Sequence, residues 1–164
     1  IDIGSNDGTL LSFYPKNMNL IGIDPTANRF REYYNKEVNI ISEFFSSNAI
    51  KNVVSAKKAK IITSIAMFYD LEKPLDFVNQ INDVLDEKEG IWVFEQSYMP
   101  LMLKYLAYDT ICHEHLEYYS INQIKWILEK ANMQIIKVEL TDTNGGSFLV
   151  FASSKKSNYR IDNK

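Results

Sequence analysis

The chain has 164 residues, and its 18 basic and 21 acidic side chains give a net charge of −3. Hydrophobic residues make up 46% of the sequence and charged residues 24%, which is typical of one globular domain and excludes disordered and fibrous classes. Because the chain has no long basic run and no apolar stretch of membrane-spanning length, we expect no nucleic-acid binding and no transmembrane helix. A single cysteine, Cys112, and the lack of a signal peptide favour a cytoplasmic location.

The first residues, Ile1-Asp2-Ile3, lack an initiator methionine and lead at once into a glycine turn. This start predicts a fragment that is cut within a strand. We expect residues 1–154 to form the core domain and residues 155–164 to form a polar tail.

Short apolar runs alternate with amphipathic stretches along the chain, which is typical of a parallel sheet with crossover helices. The predicted strands are Ile1–Ile3, Asn19–Ile23, Asn39–Ile41, Lys60–Ile65, Ile91–Glu95, Gln134–Leu140 and Ser147–Ser153. The predicted helices are Ala27–Lys36, Pro74–Leu85 and Ile121–Ala131, with Thr26 and Ser120 as candidate N-caps.

The turn Asn144-Gly145-Gly146 between the last two strands predicts a hairpin. The fold class is therefore α/β, a doubly wound, mostly parallel, Rossmann-like sheet with a C-terminal antiparallel hairpin. By fold analogy this is the class I arrangement of methyltransferases that use S-adenosylmethionine (SAM).

A glycine turn follows the first strand, where Gly4 and Gly8 would let the backbone approach a ligand. The spacing fits neither the G-x-G-x-x-G pattern nor a phosphate loop, and Asp2 and Asp7 would repel a pyrophosphate. A cationic ligand such as SAM suits these acids better, and a tight turn without a ligand is the alternative. The candidate cofactor contacts of this segment are Asp2, Gly4, Ser5, Asn6 and Gly8.

Carboxylates also follow the next two strands. The candidate cofactor contacts after the second strand are Asp24 and Pro25. Asp24 lies about twenty residues after the glycine turn, the separation expected of a ribose-binding acid, although it could also cap the turn at Pro25. Glu43 could accept the adenine amino group while Phe44 packs on the ring, and a solvated loop acid is the alternative.

An apolar and aromatic turn, Ser64–Asp70, follows the fourth strand, where ligands of such sheets bind. Ala66 and Met67 are the candidate contacts to the adenosine or the sulfonium. Core packing would also explain most of the large side chains in this turn.

Residues 109–120, DTICHEHLEYYS, contain both histidines and the only cysteine. Histidine can remove a proton near neutral pH, a glutamate can orient it, and tyrosines can stabilise an enolate oxygen. A zinc site is the main competing interpretation, but the spacing matches no common zinc motif, so we expect no metal. A Cys–His nucleophile pair or a polar capping loop would also fit these residue types. The candidate catalytic residues are His113, Glu114, His115, Tyr118 and Tyr119.

With these residues in hand, the sequence resembles the C-methyltransferases that act on TDP-linked 4-keto-deoxysugars. The resemblance is carried by Asp2–Leu11 (DIGSNDGTLL), Gly22–Pro25 (GIDP), residues 109–120 and the GGS turn at Gly145. It implies the central catalytic domain of such an enzyme, with SAM as cofactor and a nucleotide-linked keto sugar as substrate.

The resemblance also implies residue roles: His115 is the general base that forms an enolate, Glu114 is its catalytic partner, and His113 supports them. Two positions depart from the family pattern, Cys112 in place of a common tyrosine and Asn144 in place of a common histidine. Three other functions stay open: an O- or N-methyltransferase, a non-catalytic nucleoside-binding module, and, less favoured, an NAD-dependent oxidoreductase.

Overall fold

The fold is seen in a computed structural model that describes residues 1–54 and 57–161. Its strands are β1 (Asp2–Ile3), β2 (Ile21–Ile23), β3 (Asn39–Ile41), β4 (Ile61–Ile65), β5 (Ile91–Ser97), β6 (Met133–Thr141) and β7 (Ser147–Ser154). Its α-helices are α1 (Thr9–Ser12), α2 (Ser47–Val54), α3 (Pro74–Val84), α4 (Met99–Tyr105) and α5 (Ile121–Lys130). Short 3₁₀ helices span Ala27–Tyr33, Phe68–Asp70, Tyr108–Thr110 and Thr143–Gly145.

The strands form one sheet in the order β3-β2-β1-β4-β5-β7-β6. Strands β1 to β5 pair in parallel, with Asp2 opposite Gly22 on β2 and opposite Thr63 on β4. Strand β7 runs antiparallel to both β5 and β6. The predicted doubly wound sheet with a terminal hairpin is confirmed, and its strand order reverses at β1 and β4, where such sheets bind ligands.

The main core lies on the sheet face where α3 packs against α2 and α5. Alternation along β5 buries Trp92 and Phe94 on this face, and their rings stack with centroids 4.2 Å apart. Phe68 and Phe77 complete an aromatic cluster with them. Because large buried rings dominate core energetics, this cluster fixes the ends of β4 and β5.

A smaller cluster packs on the opposite face, around Leu11, Tyr34 and Val38. The helix predicted over Ala27–Lys36 is a 3₁₀ helix that ends at Tyr33, because Tyr34 is extended (ψ 140°) and turns its ring into this cluster. The Thr26 side chain does not cap it, since its hydroxyl donates to Asp24 instead. At α5, Ser120 forms the predicted cap, as a capping box with Gln123.

After β7 ends at Ser154, the described part of the predicted tail, residues 155–161, runs against the body of the protein. The Lys155 amide donates to the Asn132 carbonyl oxygen, and the Tyr159 hydroxyl donates to the Glu89 carbonyl oxygen. Residues 162–164 of the predicted tail lie outside the described residues.

Candidate functional site

The glycine turn at the end of β1 has a left-handed backbone at Gly4 (φ 71°), Asn6 (φ 47°) and Gly8 (φ 77°). Such angles strain residues with a side chain, so glycine is favoured at two of these three positions. A Cβ atom on Gly8 would lie 2.7 Å from the Tyr34 ring. Glycine at position 8 therefore serves both the turn and its packing on Tyr34.

Tyr34 holds this turn in place, a role that the local sequence pattern does not reveal. Its hydroxyl donates to the Asn6 carbonyl oxygen at 2.8 Å and lies 2.8 Å from Ser5 Oγ. Since a carbonyl oxygen only accepts, the Tyr34 hydrogen points to Asn6 and Ser5 donates to Tyr34. Burial raises the pKa of the Tyr34 phenol, which therefore stays neutral.

Asp24 joins the glycine turn to the exit of β2. Its Oδ1 accepts hydrogen bonds from the backbone and the hydroxyl of Thr26, both at 2.6 Å, and its Oδ2 accepts one from the Asn6 amide at 3.2 Å. Since each carboxylate oxygen can accept about two hydrogen bonds, Oδ2 has capacity left for one ribose hydroxyl. The structure therefore places Asp24 both as a cap of the turn at Pro25 and beside the predicted cofactor segment.

Asp2 lies beneath the turn with only 4% of its surface exposed. Its carboxylate accepts a hydrogen bond from Thr63 Oγ1 at 2.6 Å, and burial raises its pKa to about 6, with the Asp24 carboxylate adding to the effect. Ser5 is also buried, with its hydroxyl bonded to Tyr34. Both predicted cofactor residues thus direct their side chains into the protein and support the turn from below.

The exits of β3 and β4 hold the remaining cofactor candidates. Glu43 is exposed, and Phe44 is 81% exposed, so an aromatic face is open to solvent after β3. Ala66 has a left-handed backbone (φ 52°) that turns the chain away from β4. Met67 approaches the turn, since a Cβ on Gly4 would lie 3.7 Å from Met67 Cγ. The structure therefore brings the glycine turn and the β4 exit together.

His115 lies over the β4 exit with its ring centroid 4.2 Å from that of Tyr69. Its Nδ1 is 2.8 Å from the carbonyl oxygen of Thr110. Because that oxygen can only accept, Nδ1 carries the hydrogen and Nε2 of the neutral ring is free to take a proton. This is the tautomer that a general base working through Nε2 requires.

The acid–base segment, residues 109–120, is held by backbone hydrogen bonds. The Leu116 and Glu117 amides donate to the Tyr69 carbonyl oxygen at 3.0 and 3.1 Å, and the Met99 amide donates to the Tyr119 carbonyl oxygen. Burial raises the pKa of the Asp70 carboxyl, and Glu114 adds to the rise. His115 has the opposite effect on this pKa, because an imidazolium would attract the carboxylate. Asp70 is thus a carboxylate near the imidazole that sequence reasoning missed.

Two candidates of this segment have side chains that are exposed to solvent. His113 and Glu114 have side chains that are 91% and 72% exposed, and His113 Nε2 lies 3.8 Å from Glu114 Oε1. The Glu114 carboxylate is therefore beside His113, and the Thr110 carbonyl orients His115 instead. Nothing in the sequence pattern identified Thr110, since it acts through its backbone.

The two tyrosines differ in their surroundings. Tyr118 is half-buried, with its ring centroid 6.5 Å from that of His115. Tyr119 is 5% exposed and packs on Phe68 with ring centroids 5.4 Å apart. Burial raises the pKa of Tyr119 to about 12. The Tyr119 hydroxyl has no hydrogen-bond partner within residues 1–54 and 57–161.

Two further findings concern the described part of the chain. There, no group of three or more His, Cys, Asp and Glu side chains is placed to hold a metal ion. None of the helices described is both long and apolar enough to cross a membrane.

Comparison with known proteins adds a family match. A family model described as a methyltransferase domain matches residues 1–138. The C-methyltransferase NovU from Streptomyces niveus is 23% identical over 163 residues, which cover 98% of this chain and 39% of NovU. The chain thus spans about two fifths of the length of that curated relative.

Solved structures share the fold at low sequence identity. LepI in complex with SAM has a TM-score of 0.71 and 15% identity, over 93% of this chain and 42% of LepI. The plantazolicin methyltransferase BpumL in complex with SAH has a TM-score of 0.64 and 16% identity, over 93% of this chain and 74% of BpumL. A putative methyltransferase bound to the Trm112 activator of Haloferax volcanii has a TM-score of 0.71 and 12% identity, over 93% of this chain and 80% of that one. These matches confirm the fold class.

Proposed function

Because the chain belongs to the methyltransferase domain family, we propose that it binds SAM and transfers the methyl group to a small-molecule acceptor. The glycine turn supports a cationic cofactor. Two carboxylates adjoin this turn, with Asp2 buried beneath it and Asp24 accepting a hydrogen bond from the Asn6 backbone amide. A sulfonium and an amino group would be attracted there, and a pyrophosphate would be repelled.

The cofactor contacts follow from this placement. Asp24 Oδ2 would accept a ribose hydroxyl, while Glu43 and the exposed ring of Phe44 would hold the adenine. The backbone of Gly4 and the side chain of Met67 would flank the methionine part. When bound, SAM supplies an electrophilic methyl group.

We propose a nucleotide-linked 4-keto-deoxysugar as the acceptor, methylated on a carbon beside the ketone. The single observation that carries this is the hydrogen bond between His115 Nδ1 and the Thr110 carbonyl oxygen, which leaves Nε2 as a base. Nε2 would take the proton from that carbon, and the C–H electron pair would form the enolate. The Thr110 oxygen and the nearby Asp70 would stabilise the imidazolium that results. The C-methyltransferase NovU, a relative of this chain, supports a carbon acceptor.

The cofactor proposal is tested by isothermal titration with S-adenosylhomocysteine (SAH), with NADH as the negative control. We expect SAH to bind, NADH not to bind, and Asp24→Ala to weaken SAH binding by at least about tenfold. The matched control is Glu87→Ala, which removes an exposed acid ahead of β5, at the opposite edge of the sheet. Binding of NADH, or no binding of SAH by the folded protein, would contradict the proposal.

The acceptor proposal is tested by following exchange of the proton beside the ketone in D₂O. The probe is TDP-4-keto-6-deoxyglucose with SAH present, in the full-length polypeptide that contains this sequence. Carbon methylation requires the base to remove that proton, and with SAH present a deuteron that the base takes up from the solvent would replace it. A methyltransferase that acts on oxygen or nitrogen would leave the proton in place.

A further inference from the structure

Gln96 is a buried polar residue that the proposed mechanism does not use. It is the sixth residue of β5, and only 1% of its surface is exposed. Neither its amide nitrogen nor its amide oxygen has a hydrogen-bond partner among the residues that the structure describes. Trp92, four residues earlier on the same face, shows the contrast, since its Nε1 donates to Ser64 Oγ at 3.0 Å. A buried carboxamide without partners is unfavourable and needs an explanation.

The position of Gln96 places it near the acid–base segment. Ile65 of β4 pairs with Glu95 of β5, so Gln96 lies beside Ala66, at the β4 exit. Strand β4 separates β5 from β1, which puts Gln96 about 10 Å from the strand that carries the glycine turn. The His115 ring packs against the ring of Tyr69, which also follows β4, with an angle of 48° between their planes. Gln96 therefore lies at the same end of the sheet as the β4 exit, against which His115 packs.

A second unsatisfied polar group faces the same cluster of rings. The Tyr119 hydroxyl is buried without a partner in the described part of the chain. The Phe68 ring contacts both Tyr119 and Phe94, with centroids 5.4 and 5.5 Å away, and Phe94 precedes Gln96 on its face of β5. The carbonyl of Tyr119 accepts a hydrogen bond from Met99, three residues after Gln96. Two unused hydrogen-bonding groups, one on β5 and one within the acid–base segment, thus adjoin the same cluster of rings.

We propose that Gln96 is an acceptor-binding residue, whose Nε2 donates a hydrogen bond to the carbonyl oxygen of the keto acceptor, together with the Tyr119 hydroxyl. This inference rests on the proposed function. Both groups donate without a charge, and their bonds strengthen as that oxygen gains negative charge in the enolate. Gln96 Oε1 is left to accept from a neighbouring hydroxyl, which fits a hydroxylated ketone such as a sugar.

Because Gln96 is only 1% exposed, binding of the acceptor requires a movement of the chain, and the acid–base segment would be the part that lifts. The bonds from the Leu116 and Glu117 amides to the Tyr69 carbonyl oxygen are the contacts that would open. Closing the segment again would bring His115 Nε2 to the acceptor and exclude water.

The test is Gln96→Met, which keeps the length of the side chain and removes both polar atoms, in the full-length polypeptide. We expect SAH affinity within twofold of the original and an unfolding midpoint that is unchanged or higher, because no internal hydrogen bond is lost. Proton exchange of TDP-4-keto-6-deoxyglucose should fall by about 100-fold, as for the loss of one oxyanion donor. Gln134→Met, on β6, is the matched control and should leave exchange unchanged.

Unchanged exchange in Gln96→Met would overturn the inference. A lower unfolding midpoint would also overturn the inference if exchange falls only in proportion to the loss of folded protein. The carboxamide would then stabilise the fold and not bind the acceptor. If Gln96→Met does not fold, Gln96→Leu, which also removes both polar atoms, decides: lost exchange with normal SAH binding supports the inference, and unchanged exchange or a second failure to fold overturns it. If the original protein neither binds SAH nor exchanges the proton, the proposed function fails instead.

Discussion

Replacing Tyr34 by phenylalanine tests whether one phenol holds the glycine turn. The change deletes the bonds to the Asn6 carbonyl oxygen and to Ser5 Oγ, both 2.8 Å long, and keeps the ring that packs on Gly8. Two hydrogen bonds at about 0.5–1.5 kcal/mol each give a loss of about 1–3 kcal/mol in the free energy of unfolding. For a chain of this size, the melting temperature should fall by about 2–12 °C.

The measurement is urea unfolding at neutral pH, followed by titration with SAH. SAH binding should weaken in proportion to the fraction of molecules that lose the ordered turn, so a tenfold weaker affinity would mean that about one molecule in ten keeps it. Tyr33→Phe is the matched control, since Tyr33 is the neighbouring tyrosine and is 67% exposed. If Tyr34→Phe and Tyr33→Phe agree within about 0.5 kcal/mol in stability, the phenol does not hold the turn and the reasoning is refuted.

Three further predictions concern the site and its supports. His115→Gln should slow proton exchange of the keto acceptor by about 10²–10⁴-fold, whereas His113→Gln, at an exposed position, should leave it within threefold. The pKa of Asp2 is about 6 in the folded protein and 3.8 in the unfolded chain. Because the folded state holds the proton more tightly, the free energy of unfolding falls as pH rises through that range. Urea unfolding should therefore show Asp2→Asn gaining on the order of 2–3 kcal/mol relative to the original protein between about pH 4 and pH 7. Gly22→Ala should lower the unfolding free energy by about 1–3 kcal/mol, because its Cβ would lie 2.8 Å from Ser5 Oγ; an unchanged urea midpoint would contradict this packing.

Most of the sheet could be predicted because its signals are local. Alternation of apolar residues along β5 and the Asn144-Gly145-Gly146 turn each act within a few residues, and the structure has both the strand and the hairpin there. Helices α2 and α4 were not predicted, because segments of eight and seven residues show only about two turns of helical periodicity. The end of the 3₁₀ helix at Tyr33 depends on the packing of Tyr34 against Gly8, which no local pattern records.

The residues of the candidate site also fall into two groups, those that the sequence identifies and those that only the fold reveals. Strand exits identify Met67 as a residue at the carboxyl edge, and the family resemblance singles out His115 within residues 109–120. Their partners could not be identified in this way, because the Thr110 carbonyl acts through the backbone and Asp70 reaches the imidazole only through the fold. Gln96 was not predicted as a site residue because it occupies one of the alternating buried positions of β5. Only the structure shows that its side-chain amide has no hydrogen-bond partner in the described residues.

The short run from Met67 to Tyr69 couples the two halves of the proposed reaction. Met67 lies against the position of Gly4 in the glycine turn, and the Tyr69 ring packs at a tilt against the ring of His115. Phe68 between them is buried in the aromatic cluster, so the run is held at its centre. Methyl transfer requires the base and the methyl group to meet the same acceptor carbon, and misplacement by about 1 Å can cost about 100-fold in rate. In the proposed reaction, the packing of Phe68 would set the distance between the cofactor and the base, because Phe68 lies between Met67 and Tyr69 in the chain.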